Sequence, residues 1–253
     1  MRYSVNTLCM FPGVPFAEAL DLTRAKGYDT VEVWTIDREE VAERARLLAN
    51  ANMRLSAFCP AYFVLNDIAC HDQYEACLRD ALEDAATLCC PALITQVGND
   101  TGAPRAVQHA AIVQGLKRMA PLLKAAGVTL LVEPLNDVKD HVGYYLTDSQ
   151  EGFDIVREVG SPFVRLLYDV YHMVHMGEDV LAVIRDNIGL IGHFHIAGHP
   201  NRDEKLFEGF DHTQTLALIR STGAQAPMGL ELWPTSRAGA DALLQALQTN
   251  IIG

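Results

Sequence analysis

Four ionisable side chains lie at or near the ends of strand-like segments in the second half of the chain. Glu133 ends an apolar, β-branched run at residues 128–133 and is followed at once by a proline, while Asp169, His195 and Glu231 lie in three later apolar runs. A charge at the end of a buried strand is costly unless it is paired or bound to a metal. Three carboxylates and one imidazole therefore predict a site for a divalent metal ion, with Mn²⁺ or Mg²⁺ favoured and Co²⁺ or Zn²⁺ also suitable.

These side chains can converge only if their strands are neighbours in one sheet. Strand and helix patterns alternate along the chain in about eight units of roughly thirty residues. The predicted strands are residues 2–7, 30–34, 54–59, 92–97, 128–133, 164–169, 190–196 and 228–233. The predicted helices are residues 15–26, 38–51, 71–88, 106–126, 147–159 with Thr147 as the cap, 178–187, 211–222 and 238–248.

The alternation and the length predict one α/β domain, a single (β/α)₈ TIM barrel over residues 1–253. In such a barrel the active site is built at the carboxyl ends of the strands, where the four ionisable residues would meet. A doubly wound open sheet is the alternative fold. It would carry a Gly-rich phosphate-binding turn after the first strand, and residues 10–15 do not form one.

Several motifs in the second half of the chain carry a family resemblance. They are Glu133-Pro-Leu-Asn136, Gly143-Tyr-Tyr, Asp169-Val-Tyr-His172, His193-Phe-His-Ile-Ala-Gly198 with Arg202, and Glu231. Together they resemble the xylose-isomerase-like TIM barrels, and the nearest branch is the hydroxypyruvate isomerases. The resemblance implies metal ligation by Glu133, Asp169, His195 and Glu231. It also implies substrate contacts from His172, Arg202 and Asn136.

The metal site and the resemblance together predict an enzyme, a metal-dependent isomerase of a small hydroxy-keto acid or sugar. Glu133 and Glu231 are the predicted catalytic pair, which would move a proton between neighbouring carbons through an enediolate. Arg202 favours an acidic substrate, so hydroxypyruvate and tartronate semialdehyde are the favoured pair. Trp34, at the end of the second predicted strand, is expected to form an apolar wall of the substrate pocket.

Other activities of the same scaffold stay open. Hydroxypyruvate isomerases usually carry Gln where His195 stands, whereas the ketose 3-epimerases carry His. The segment after Arg202 also lacks the Pro-Gly-x-Gly-Glu pattern typical of the isomerases. An inosose-type dehydratase, an endonuclease-like phosphodiesterase and a non-catalytic sugar-binding barrel are further alternatives. His193 is predicted from strand alternation to point away from His195 and to be a structural residue.

Composition limits the partners. The net charge of −12 argues against nucleic acid or an anionic membrane surface and leaves a small-molecule substrate. No apolar run approaches the roughly 20 residues of a membrane span, and the N-terminus resembles a strand rather than a signal peptide. Six cysteines without a Cys-x-x-Cys pair predict reduced thiols in a cytoplasmic protein. Family resemblance also allows a homo-oligomer.

Overall fold

Eight parallel strands form the centre of the molecule. The computed structural model describes residues 2–249, and Met1 and residues 250–253 of the predicted domain lie outside the described residues. The strands are β1 Tyr3–Asn6, β2 Thr30–Glu32, β3 Arg54–Leu55, β4 Ala92–Thr95, β5 Thr129–Val132, β6 Val164–Asp169, β7 Ile191–Ile196 and β8 Met228–Leu230. Their interiors are apolar and almost fully buried, as expected when helices cover the outside of a parallel sheet.

The strands close into a barrel. Their order is β3-β2-β1-β8-β7-β6-β5-β4, and every neighbouring pair is parallel. A parallel bridge between Phe58, just beyond β3, and Leu93 of β4 joins the two ends of this order. The backbone N–H of Ile94 donates to the carbonyl oxygen of Phe58 at 2.9 Å across the same junction. The predicted (β/α)₈ barrel is therefore confirmed.

Helices follow the strands and cover the barrel. They are α1 Thr7–Met10, α2 Phe16–Ala25, α3 Val41–Ala51, α4 His71–Leu88, α5 Arg105–Ala126, α6 Ser149–Val159, α7 Val170–His175, α8 Val180–Asn187, α9 Thr213–Ser221 and α10 Arg237–Thr249. Three short 3₁₀ turns lie at Arg38–Glu40, Ile68–Cys70 and Ile188–Leu190. Within residues 2–249, none of the helices has the length and apolar character needed to cross a bilayer.

Most predicted boundaries differ from the structure by one or more residues, and the short helix α1 was not predicted. Backbone and side-chain hydrogen bonds account for two of these differences. The cap of α6 is Asp148 rather than Thr147, because the Asp148 carboxylate accepts a hydrogen bond from the backbone N–H of Gln150 at 2.7 Å. The predicted strand at residues 54–59 contains only the two-residue β3. Beyond Leu55 the chain still follows β2, with Cys59 N–H donating to the Trp34 carbonyl oxygen at 2.8 Å, but without a regular ladder.

The sequence prediction also missed α7. Asp169 ends β6, and its carboxylate accepts a hydrogen bond from the backbone N–H of Tyr171 at 2.8 Å. This bond caps α7 at its first turn, so the chain passes from strand to helix without a loop. As a result, Asp169 and His172 are held by one continuous strand–helix unit.

An apolar layer lies inside the barrel beneath the strand ends. Its members form a cluster separate from the main core: Ala57, Ile94, Leu131 and Leu167. Because alternate residues of a strand share a face, the side chains two positions further along occupy the next layer. Glu133 follows Leu131 in this way and Asp169 follows Leu167. Glu133 and Asp169 therefore rest on an apolar floor.

Truncating this floor tests its contribution to stability. We expect Leu167→Ala to lower the free energy of unfolding by about 2–5 kcal/mol, because a fully buried leucine leaves a cavity that the barrel cannot collapse to fill. Val142→Ala is the control, since Val142 is 77% exposed and should change stability by no more than about 0.5 kcal/mol. Urea unfolding of both variants measures the difference, and a similar small loss in both would contradict the packed interior.

Candidate active site

The four predicted metal ligands lie together at the carboxyl ends of adjacent strands. Glu133 follows β5, Asp169 ends β6, His195 lies in β7 and Glu231 follows β8. One ligand atom from each of the four lies within 4.8 Å of every other. All four residues are at most 5% exposed. Buried charges are costly unless they are paired or bound to a cation, so this cluster could hold a metal ion.

His195 presents one ring nitrogen to the three carboxylates. Its Nδ1 lies 3.0 Å from Glu231 Oε2, 3.4 Å from Glu133 Oε1 and 4.0 Å from Asp169 Oδ2. Despite these distances, Nδ1 has no hydrogen-bond partner of acceptable geometry among the described residues. A buried nitrogen that has carboxylate oxygens around it and no hydrogen-bond partner is typical of a metal ligand. The donor set therefore fits a hard or borderline divalent cation.

The sequence analysis missed Glu32, the other charged partner of His195. Glu32 ends β2, is 0% exposed, and accepts at 2.8 Å from His195 Nε2 through Oε1. Its other oxygen, Oε2, lies 2.8 Å from His193 Nε2 and accepts from Ser56 Oγ at 3.2 Å. The only signal in the sequence was a glutamate within the apolar run of residues 30–34. Nothing in that run identifies a histidine on β7 as its partner.

The predicted orientation of His193 is wrong. His193 and His195 are two residues apart, and residues two apart in a strand share a face. Their ring centroids lie 5.1 Å apart, and both rings contact Glu32. His193 is therefore part of the polar layer inside the barrel, directly below His195.

Gly229 provides the space for this layer. It lies beside His195 in the β7–β8 ladder. A Cβ at this position would lie 2.5 Å from His195 Cδ2 and 3.1 Å from Glu32 Oε1. Real Cβ atoms essentially never come so close, so only glycine is compatible with the observed imidazole and carboxylate positions.

Arg202 reaches the same cluster from the loop after β7. One guanidinium nitrogen, Nη2, donates both to Glu231 Oε2 and, at 3.3 Å, to Asp169 Oδ2. The guanidinium carbon lies 5.0 Å from the ring centroid of Tyr171 and 5.2 Å from that of Trp233. Its Nε is buried and has no hydrogen-bond partner among the described residues. Arg202 therefore keeps a free donor at the site.

The pKa values of the two carboxylates that share Arg202 shift in opposite directions. Burial alone would raise the pKa of Glu231, but Arg202 and His195 together hold it well below its ordinary value. Burial is the dominant influence on Asp169 and raises its pKa to about 7, although Arg202 and His195 oppose the rise. Burial also opposes charge on His195, yet Glu32 and Glu231 raise its pKa well above the usual range.

His172 is held in one tautomer by Asn136. The backbone N–H groups of Lys139 and Asp140 donate to Asn136 Oδ1 at 3.1 and 3.0 Å, which turns the amide nitrogen of Asn136 toward His172 Nδ1 at 2.6 Å. The Asn136 backbone N–H also donates to that Nδ1, at 3.3 Å. Burial holds the pKa of His172 well below its ordinary value, so the ring is neutral with its proton on Nε2. This Nε2 lies 3.4 Å from Asp169 Oδ2 without forming a hydrogen bond.

The remaining predicted residue, Trp34, lies at the edge of the cluster. Its indole N–H donates to Glu231 Oε1, and its ring centroid lies 5.3 Å from that of Trp233. Gln96, at the end of β4, donates from Nε2 to Glu133 Oε2 at 3.3 Å. Trp34 and Gln96 therefore each orient one of the two glutamates, and Trp34 adds an aromatic wall.

Adding a methyl group at Gly229 tests the space around His195. Gly229→Ala should displace the imidazole or β8 and lower the free energy of unfolding by about 1–3 kcal/mol, the usual range for overpacking. Gly189→Ala is the matched control, because nothing lies within 4 Å of the added Cβ and stability should hold or rise slightly. Thermal unfolding of the two variants measures the difference, and equal stability would show that the layer has room to adjust.

The chain is similar in sequence to known proteins over nearly its whole length. The 2-oxo-tetronate isomerase of Cupriavidus necator is 29% identical over 259 residues, covering 95% of this chain and 95% of that protein. A putative hydroxypyruvate isomerase of Xenopus laevis is 26% identical and covers 92% of this chain and 90% of that protein.

Solved structures share the fold. AP endonuclease, family 2, from Brucella melitensis has a TM-score of 0.90 at 24% identity and covers 98% of both chains. The IOLI protein with a binding zinc atom has a TM-score of 0.79 at 17% identity, covering 100% of this chain and 97% of that one. Residues 20–249 match the family described as the xylose isomerase-like TIM barrel. The chain therefore belongs to the xylose isomerase-like TIM barrel family.

Proposed function

We propose that this protein is a metal-dependent isomerase of small 2-oxo-3-hydroxy acids, with hydroxypyruvate and tartronate semialdehyde as the favoured pair. The observation that carries the proposal is the buried cluster of Glu133, Asp169, His195 and Glu231 at one end of the barrel. Relatives named for hydroxypyruvate and for 2-oxo-tetronate support the substrate class. Both names describe an acid with a 2-oxo group and a neighbouring hydroxylated carbon.

The four clustered residues are the proposed metal ligands. A divalent ion held by them would supply positive charge that stabilises the enediolate form of a substrate. Asp169 and His195 would hold the ion. Glu133 and Glu231 have the additional role of moving protons.

Glu231 is the better candidate for the group that first removes a proton. Its pKa lies well below the ordinary value, so it is ionised at neutral pH. Trp34 and Arg202 fix its two oxygens in place. Glu133 Oε1 lies 3.4 Å from His195 Nδ1, and Glu133 Oε2 accepts a hydrogen bond from Gln96. Removal of the C3 proton of hydroxypyruvate by one glutamate and delivery of a proton to C2, with the hydroxyl proton passing from the C3 oxygen to the C2 oxygen, gives tartronate semialdehyde.

Two unpaired donors would orient the oxygens of the substrate. His172 is neutral and carries its proton on the unpartnered Nε2, so it can donate to a carbonyl or hydroxyl oxygen without adding charge. Arg202 has the unpartnered Nε and a permanent positive charge, which suits the substrate carboxylate. Asn136 would then act through His172, since its amide already bonds that ring and Asp140.

A ketose 3-epimerase is the second candidate, and His195 is the residue that favours it. The same two glutamates could remove a proton from one face of a carbon and return it on the other face. An inosose-type dehydratase would need the same ligands but would release water. These activities give different products, so an experiment that follows exchange and products distinguishes them.

Deuterium exchange in D₂O tests the reaction directly. We expect the protein supplied with Mn²⁺ to incorporate deuterium into hydroxypyruvate and to form tartronate semialdehyde, both followed by NMR. Glu231→Gln should lower the rate by at least about 10²-fold, because a positioned acid–base group contributes roughly that much or more. Glu158→Gln, a change at an exposed glutamate, is the control and should leave the rate unchanged.

Other substrates give the other outcomes. Exchange at C3 of D-fructose or D-tagatose, with hydroxypyruvate unreacted, would replace the proposal by the epimerase. Loss of water from inosose would favour the dehydratase. Absence of exchange into hydroxypyruvate with Mn²⁺, Mg²⁺, Co²⁺ or Zn²⁺ would refute the isomerase.

Thermal stability tests the metal site independently of any substrate. Mn²⁺ at about 100 times its dissociation constant should stabilise the wild type by about 2.7 kcal/mol, because it binds only the folded state. Asp169→Ala should abolish most of this gain, whereas Asp186→Ala, at an exposed position, should retain it. Equal Mn²⁺-dependent stabilisation of all three proteins would place the metal elsewhere.

A further inference from the structure

A second polar cluster lies directly beneath the proposed metal ligands. It consists of Glu32, Ser56, His193 and His195, which are contributed by three different parts of the barrel wall and are at most 6% exposed. His195 belongs to both clusters, since Nδ1 faces the three carboxylates and Nε2 faces Glu32. The two nitrogens of one ring therefore connect the two clusters.

We infer that Glu32 is a positioning residue that makes Nδ1 of His195 the metal-binding nitrogen. This inference rests on the proposed metal site. An ionised carboxylate can only accept hydrogen bonds, so His195 must donate to Glu32 Oε1 and must carry a proton on Nε2. The neutral ring then has its lone pair on Nδ1, which is the nitrogen that lies among Glu133, Asp169 and Glu231. A carboxylate behind a ligating histidine also raises the basicity of the metal-bound nitrogen.

The surroundings hold the Glu32 carboxylate in place. His193 Nε2 lies 2.8 Å from Oε2, and Ser56 Oγ donates to the same oxygen at 3.2 Å. These contacts occupy Oε2 and leave Oε1 for His195. Gly229 has no side chain, and the His195–Glu32 pair fills the space that a Cβ would occupy. The imidazole therefore packs directly against β8. His193 thus acts on His195 through the carboxylate that they share.

A second metal ion bound by Glu32, His193 and His195 is the rival interpretation, because their ligand atoms also lie close together. The hydrogen bond of His195 argues against this ion. His195 Nε2 donates to Glu32 Oε1 at 2.8 Å, so that nitrogen carries a proton and cannot bind an ion. His193 Nε2 lies 2.8 Å from Glu32 Oε2, but the geometry is not that of a hydrogen bond. An ion here would also require His195 to give up the protons of both nitrogens.

Nitrogen NMR of the Zn²⁺-loaded protein tests the inference without a mutation. In protein labelled with ¹⁵N-histidine, His195 should show a proton on Nε2 and a metal-shifted Nδ1, with the signals assigned by comparison with His195→Gln. A His195 ring with its proton on Nδ1 or with Zn²⁺ on Nε2 would overturn the inference, as would binding of two Zn²⁺ ions per chain with one of them on His193.

Co²⁺ binding to Glu32→Gln tests the energetic contribution. Replacing the carboxylate by an amide removes the negative charge that faces His195 Nε2 and replaces one of its two acceptor oxygens by a donor. We expect Co²⁺ affinity, followed by the visible absorption of the ion, to fall about 10–100-fold. Glu178→Gln is the matched control: Glu178 also accepts hydrogen bonds from buried partners, Ser149 Oγ and Tyr168 Oη, and its replacement should leave Co²⁺ affinity unchanged.

The possible failures are distinguishable. Unchanged Co²⁺ affinity in Glu32→Gln, with normal binding by the wild type, would overturn the role of Glu32 and leave the proposed metal site intact. A wild type that binds neither Zn²⁺ nor Co²⁺ would overturn the metal site and, with it, the inference. A fall in affinity of the same size in Glu178→Gln would show that the effect is general destabilisation, and would also overturn the inference.

Discussion

The structure depends on an excess of buried negative charge at one end of the barrel. The buried carboxylates are Glu32, Glu133, Asp169 and Glu231, and besides the neutral His172 the groups in contact with them that can carry positive charge are Arg202, His193 and His195. Even with all three of these groups charged, the four carboxylates exceed them by one charge when all are ionised. Burial on an apolar floor makes such an excess expensive, and the elevated pKa of Asp169, about 7, shows its effect. A divalent cation is the simplest group that would balance the cluster, which is why the charge itself argues for a metal.

Strand geometry decides which residues enter the cluster. In a parallel barrel, residues two apart share the interior face, so each strand passes from an apolar layer to a polar one within a single step. Leu131 precedes Glu133 and Leu167 precedes Asp169 in this way, whereas on β7 both positions, 193 and 195, are histidine. The polar layer is therefore one layer, or two residues, deeper on β7 than on β5 or β6. Glu32 reaches this deeper level from β2, across the barrel.

The sequence predicted the barrel and the convergence of the four ligand candidates, because both depend on local patterns. An apolar run ending in an acid is visible in a single segment, and the order of strands in a barrel brings successive segments together. Glu32 could not be found in this way, because its partner His195 is 163 positions away. Period-two alternation places residues 193 and 195 on the same face of β7, so the opposite orientation predicted for His193 does not follow from it. The helix α7 was missed because its cap is Asp169, a residue whose other contacts are long-range.

Arg202 links the charge of the cluster to the choice of substrate. Its backbone is left-handed, with φ of 58°, a conformation that costs a non-glycine residue about 1–3 kcal/mol and persists only when its surroundings fix it. Here the Arg202 N–H donates to Gly198 O at 2.7 Å, and Trp233 N–H donates to Arg202 O at 2.8 Å, so the loop is tied to the end of β8. The same Nη2 serves Asp169 and Glu231. A cation bound by these two carboxylates would compete with the guanidinium for them and would free its donors for the carboxylate of a substrate. Metal binding and recognition of an acidic substrate would then be coupled through one side chain.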